Sequence, residues 1–133
     1  MAGFSIFDIS GRAMSAQLVR LNTSASNLAN AGSVSSSADT AYQARKPVFQ
    51  TMLDANDMAT VRVARIETVQ SEAIRRYEPG HPLADENGYI FEANVDPTAE
   101  MVEMLETARQ YQNNVEVMQT AKNLVTATLR LGQ

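Results

Sequence analysis

Few residues in this chain could do chemistry. His81 is the only histidine and stands in the turn Glu78-Pro79-Gly80-His81-Pro82. A metal centre needs several His, Cys or carboxylate ligands at matching spacing. Asp85 and Glu86 follow the turn, but acids in such a place are ordinarily solvated, so His81 is read as a structural turn residue. The chain has no cysteine, which excludes a zinc–cysteine site, a disulfide framework and a thiol nucleophile. Serines are plentiful, yet none sits in a Gly-x-Ser-x-Gly elbow. No Gly-rich loop leads into a Lys-Ser/Thr pair, so there is no phosphate cradle. Arg62, Arg65, Arg75 and Arg76 form a modest basic cluster with acids on both sides. That pattern suits a decorated hairpin face or pairs between subunits better than an anion site. The expectation is no catalytic residue, no cofactor, no metal and no small-molecule substrate. The chain is not read as an enzyme, and a small hydrolase is discounted for want of a nucleophile–base pair.

Composition narrows the classes further. The formal net charge is −4 and no segment is basic, so a nucleic-acid footprint is absent. No run of apolar residues is long enough to span a membrane. The N-terminus lacks both the basic and the continuous apolar regions of a cleavable secretory signal. A chain of this kind leaving the cytoplasm would use another route.

The elements that organise the chain are its two ends. Asp96-Pro97-Thr98 is a helix start: the Asp carboxylate accepts an unpaired N–H, and Pro lacks a donor that would go unpaired anyway. From there no Gly or Pro occurs until Gly132. Met101, Met104, Ala108, Tyr111, Val115, Met118, Val125 and Leu129 recur at steps of three and four, interrupted once by Lys122. This spacing predicts a heptad seam on one long helix. At the other end Phe4, Phe7, Met14, Leu18, Leu21, Ala25 and Leu28 follow the same alternation, with Gly11 as the weak position. Ser5 and Asp8 read as a loose capping box, and Asn30-Ala31-Gly32 as the stop. The polar face of this first helix is rich in Ser, Thr and Asn, poor helix formers. It is expected to order when partners pack on it. Acids crowd the start of the last helix (Asp96, Glu100, Glu103, Glu106) and bases come later (Lys122, Arg130). Either complementarity to the helix dipole or end-to-end pairing of stacked subunits accounts for that gradient.

Between the helices the pattern changes. Residues 32–39 read as a Ser-rich flexible linker. Tyr42–Phe49 reads as extended, since Lys46 precedes Pro47. Residues 50–59 are ambiguous. Thr60–Thr68 is β-like, with Glu72–Tyr77 as its return strand, and Tyr89-Ile90-Phe91 as another short strand. The expected fold is therefore mainly α with a small β insert. It has an N-terminal helix unit over 1–32, a linker and β-hairpin region over 33–95, and a C-terminal helix unit over 96–133. The two helices pack as a coiled-coil-like pair within one structural domain.

Three stretches carry a resemblance. Ala25-Ser26-Asn27-Leu28-Ala29-Asn30-Ala31 resembles the N-terminal signature of the axial proteins of the bacterial flagellar rod and hook. Glu100–Met104 and the run from Ala108 to Val117, with Tyr111, Asn114 and Glu116, resemble the matching C-terminal signature. The middle motif from Tyr77 to Tyr89, with Pro79, Gly80, His81 and Pro82, is similar to that of a proximal rod subunit. Many axial proteins place a Thr-Gly-Tyr/Phe step soon after the first signature, whereas here a serine-rich insert separates Asn30 from Tyr42.

The resemblance implies a structural subunit of the flagellar basal-body rod, crossing the periplasm and exported by the type III apparatus without a cleaved signal. It implies that the seams Phe4, Phe7, Met14, Leu18, Leu21, Leu28 and Met101, Met104, Tyr111, Val115, Met118, Val125, Leu129 are subunit interfaces. The implied partners are the other proximal rod subunits, the distal rod and the export-gate adaptor at the rod base. The competing reading is a helical adaptor or chaperone-like module that closes on one partner.

Overall fold

The computed structural model describes the backbone of residues 2–133 and the side chains of residues 6–133. The chain order is α1 (Ala2–Ala29), β1 (Val34–Ser35), β2 (Arg45–Leu53), β3 (Ala59–Thr68), β4 (Ile74–Tyr77), β5 (Tyr89–Glu92) and α2 (Pro97–Leu131). Two long helices thus flank a small region of antiparallel strands, as expected. The seam position Phe4 has its side chain outside the described residues.

The α2 cap forms as the sequence dictates. The Asp96 carboxylate accepts hydrogen bonds from the Thr98 N–H at 2.9 Å and the Ala99 N–H at 3.3 Å. With no Gly or Pro after Pro97 to break it, α2 runs through 35 residues, roughly 52 Å at ~1.5 Å per residue. It ends where the Gly132 N–H donates to the Thr128 carbonyl at 3.1 Å. The start of α1 differs from the expected one. The backbone is already helical at Ala2, so Ser5 lies inside the helix and the capping-box reading does not apply. At its other end the Asn30 amide donates to the Ser26 carbonyl at 2.8 Å and the chain turns through Gly32.

The two helices pack against each other antiparallel. Gln17 meets Gln110, Arg20 meets Glu103, and Asn27 meets Glu100. The strands form two sheets, one ordered β1-β5-β4 and the other the β2-β3 hairpin. Two expectations for the middle are corrected here. The partner of β3 is β2 and not the 72–77 segment, which pairs with β5 instead. The turn that decides this is Asp54–Met58. There the Asp54 carboxylate accepts from the Asn56 N–H at 2.8 Å and the Met58 N–H at 3.0 Å, and Asp57 sits at a φ of 57°. An Asx turn of this kind closes a hairpin without a glycine. The serine-rich stretch is also more ordered than a linker: Val34 and Ser35 pair with Glu92 and Phe91.

The Met58 and Asn56 N–H groups, in that order of weight, hold the Asp54 carboxyl below the usual carboxylate range. A depressed carboxylate stabilises the fold above its unfolded pKa, and the contribution is lost as pH falls through its folded pKa. The hairpin tip is therefore expected to loosen only in acid below the ordinary Asp titration. The amide shifts of Asn56 and Met58 across an NMR pH series check this; a transition near neutrality would contradict it.

The hairpin lies along α1. Its open end sits beside Asn27, and near its tip Arg12 donates to the Thr60 hydroxyl at 3.4 Å. Val61 and Val63 of β3 face Phe7, Gly11, Ala16 and Val19 of α1 across a shallow cleft of about 400 Å³. The interior is small. Ala44, Ala93 and Val95 form its cluster, with Ala31, Tyr42 and Val69 packed on it. Among the described residues, Ile90 and Val95 are the buried apolar side chains larger than alanine.

Candidate assembly surfaces

Asn27 is the joint of the fold. It is 1% exposed and uses both ends of its amide. Its Nδ2 donates to the Arg45 carbonyl at 2.8 Å and to Glu100 Oε1 at 3.3 Å. Its Oδ1 accepts from the Arg45 N–H at 2.8 Å and from the Tyr42 hydroxyl at 2.9 Å. One side chain therefore ties α1 to the start of β2 and to the first turn of α2. Only an amide supplies two donors and two acceptors in this space. Ser26 stands beside it, with its hydroxyl 3.3 Å from Tyr42 OH. Sequence reading placed Asn27 on a polar face; its burial had no periodic signal.

The helix contact is offset from the apolar seams. On α2 it runs through Glu100, Glu103, Thr107, Gln110 and Ala121, with Thr107 fully buried. At alternate positions this is one residue earlier than the Met101, Ala108, Val115 and Lys122 line. The seam's interruption at Lys122 is thereby explained, since Ala121 is the buried residue there. On α1 the buried positions are Ser10, Ala16, Thr23, Ser24 and Asn27. Small side chains let the backbones approach, and their hydroxyls are satisfied locally: Thr107 donates to the Glu103 carbonyl at 2.7 Å and Thr23 to the Val19 carbonyl at 2.6 Å. Counting apolar residues cannot find an interior built this way.

The seams themselves lie on the flank of the pair. Phe7, Met14, Leu21 and Leu28 are half-buried, and Leu18 is 44% exposed. Met104, Tyr111 and Met118 are half-buried, while Met101, Val115, Val125 and Leu129 are exposed. On each helix the stripe stands about a quarter turn from the contact, at ~100° per residue. In an antiparallel pair, a quarter turn in the same sense about each axis points to the same side. The two stripes therefore share one face of the pair, apart from Phe7, which borders the hairpin cleft, and the hairpin covers roughly the opposite side of α1. Leu105, 73% exposed, widens this face. Asn114 is half-buried and its amide donates to the Gln110 carbonyl at 3.1 Å, and Glu116 is exposed.

The polar contacts along the pair change the reading of the acidic start of α2. Arg20 Nε donates to Glu103 Oε1 at 2.7 Å, and Glu100 meets Asn27. With Asp96 in the cap, three of the four acids thus have partners within the chain. Glu103→Lys sets a cation against Arg20 and is expected to cost about 1 kcal/mol in a half-exposed setting, read as a lower urea midpoint. Glu106→Lys, at an exposed position, is expected to leave the midpoint unchanged. Equal effects of the two would remove the Arg20 account.

The middle motif is a built turn. The Asp85 carboxylate accepts from the Asn87 N–H at 2.9 Å and the Tyr89 N–H at 2.8 Å. His81 Nδ1 accepts from the Leu83 N–H at 3.0 Å. Pro79, Gly80 and Pro82 complete the loop between β4 and β5. The Tyr77 and Tyr89 rings meet edge to face at 5.2 Å, and the Arg75 guanidinium lies 3.6 Å above the Tyr89 ring. Gly88 makes this possible. Its φ is +82°, and a Cβ there would come within 2.9 Å of Tyr77 Cε2 and 3.0 Å of Pro79 Cβ. Gly88→Ala is expected to cost about 2–3 kcal/mol, combining left-handed strain with overpacking. Thermal unfolding checks it, and a loss under about 0.5 kcal/mol would show that the turn relaxes freely.

Among the described residues no cluster of metal ligands is present and no helix is long and apolar enough to cross a membrane.

Comparison with known proteins gives the same two helices as the matching regions. Residues 7–32 match the family model described as flagella basal body rod protein, and residues 86–131 match flagellar basal body rod FlgEFG protein C-terminal. The chain is 47% identical over 135 residues to the flagellar basal-body rod protein FlgC of Salmonella typhimurium, covering the whole of both chains. It is 46% identical over 134 residues to the FlgC of Yersinia enterocolitica and 37% over 136 residues to that of Buchnera aphidicola subsp. Schizaphis graminum, again over full length.

Proposed function

We propose that this chain, which belongs to the FlgC family of flagellar basal-body rod proteins and is a structural subunit of that rod, joins it through the apolar face shared by α1 and α2. The observation that supports this reading is the imbalance between a very small interior and that long exposed face. A contiguous apolar face of this extent marks an interaction site. Each large side chain that becomes fully buried adds roughly 1.5–3 kcal/mol, so even partial coverage of a dozen positions suffices for association. A rod requires a heterologous contact that repeats without closing, so that subunits climb a helix.

In this reading α1 and α2 form a coiled-coil-like pair, and the stripes pack on the helix pairs of neighbouring rod subunits. The subunit sits in the proximal rod, between an adaptor at the rod base and the distal rod, and spans part of the periplasm. It reaches that place through the type III export apparatus. The expected outcome of mass spectrometry on purified basal bodies from the source organism is this chain, retained after washes that strip loosely bound protein. Its absence from intact basal bodies, with a closed stoichiometric complex elsewhere, would move the adaptor reading to the front.

A further inference from the structure

One dipeptide in the middle motif is chemically labile. Asn87-Gly88 is the single Asn-Gly pair of the chain. In such a pair the Gly nitrogen can attack the Asn side-chain carbonyl carbon, because Gly has no Cβ to hinder the approach. The new N–C bond closes a succinimide ring, while the C–N bond of the side-chain amide breaks and ammonia leaves. Water then opens either ring carbonyl. The net change is Asn plus water to ammonia plus either Asp or isoaspartate, with no oxidant or cofactor. Two conditions must hold. The Gly N–H must be free to give up its proton, and the backbone must swing so that this nitrogen meets the side chain.

The fold denies both. Gly88 is buried, although Asn87 is exposed. The Gly88 N–H donates to the Asp85 carbonyl at 3.0 Å, and the Gly88 carbonyl accepts from the Glu78 N–H at 2.9 Å. Asn87 is pinned by its own N–H, which donates to the Asp85 carboxylate at 2.9 Å. The Tyr89 N–H donates to the same oxygen at 2.8 Å. Donation from Gly88 back to Asp85 places Asn87 at the third position of a β-turn. Its φ is negative, as in a type I turn, whose third residue has a ψ of about 0°. At that ψ the following nitrogen lies away from the Asn side chain. The ring can close only when the turn opens.

We propose that Asn87-Gly88 is a latent deamidation site, locked by the Asp85 turn in the folded chain and released whenever that turn opens. Isoaspartate adds one carbon to the backbone between residues 87 and 88. Gly88 has no room for the displacement, since an added Cβ there would already meet Tyr77 and Pro79. A chain converted while unfolded therefore cannot rebuild the turn. The site records time spent out of the native fold.

The test follows Asn87 in the purified full chain, held in mildly alkaline buffer with and without denaturing urea. Peptide mapping by mass spectrometry separates the amide, aspartyl and isoaspartyl forms. Hydrogen exchange followed by NMR gives the protection of the Gly88 N–H. Conversion is expected to be slower in the native chain by about tenfold or more, the factor that about 1.4 kcal/mol of opening free energy supplies. Asp85→Ala removes the carboxylate that holds the Asn87 and Tyr89 N–H groups. It should raise the native rate several-fold and leave the rate in urea unchanged. Should that variant not fold, the parent in rising sub-denaturing urea replaces it, and conversion should climb in step with Gly88 exchange. Equal rates with and without denaturant, or no conversion in urea, overturn the proposal. So does an unprotected Gly88 N–H, or an Asp85→Ala chain that folds and converts no faster than the parent. An isoaspartyl chain that refolds with parental Gly88 protection overturns the claim that the product cannot rebuild the turn.

Discussion

Asn27→Leu is expected to cost the isolated chain about 3–5 kcal/mol of folding stability. The change leaves the Arg45 N–H, the Arg45 carbonyl, the Tyr42 hydroxyl and Glu100 without the amide that joins them. A buried polar group left unpaired costs roughly 1–3 kcal/mol, and several are orphaned together. The loss is a large part of the ~5–15 kcal/mol that holds a domain folded. Asn27→Asp separates the contributions. It keeps both acceptors but loses both donors and sets a carboxylate against Glu100, so it should fall nearly as far. Urea unfolding followed by helical circular dichroism gives both values. A midpoint for Asn27→Leu close to that of the parent would mean that Asn27 is not the joint.

The second large effect is on assembly and not on folding. Leu18→Asp combined with Met101→Asp places one charge on each helix, at positions already exposed in the single chain. Exposed substitutions of this kind change stability by within about 1 kcal/mol. In a packed rod the same carboxylates would be taken out of water without partners, which costs several kcal/mol each or forces the subunits apart. The expected result is a folded chain with near-parental unfolding, lost from basal bodies, in non-motile cells. A control pair, Arg62→Asp with Thr51→Asp at exposed residues of the hairpin, tests whether any added charge suffices. Motile cells with the Leu18/Met101 variant in their rods would remove the apolar face from the assembly account.

These two cases also show what could be read from the sequence. Asp96, Pro97 and Gly132 fixed the ends of α2 because capping is local chemistry, decided within a few residues. The β-branched run of β3 and the strand at Tyr89 were likewise local. The packing of the helices was not. The three-four pattern located the apolar stripes, but the contact lies a quarter turn away, among Ser24, Thr107 and Ala121, whose small size shows only when two backbones approach. The pairing of strands was missed at Asp54, whose Asx turn carries no glycine. Asn27 was legible as part of a signature and illegible as a joint, since its partners are distant in sequence.

The contact between the first helix and the last has a consequence for the order in which the chain can fold. α1 is made first and can gather only the hairpin, whose contacts are nearby in sequence. Its other side waits for Glu103 and Gln110, separated from Arg20 and Gln17 by most of the chain. Contacts of such long sequence separation form late, because the closure entropy of the intervening loop opposes them. A chain emerging from any narrow conduit, in either direction, therefore cannot complete this fold until its final element is through. Its stable form belongs to whichever side of a barrier the second end reaches.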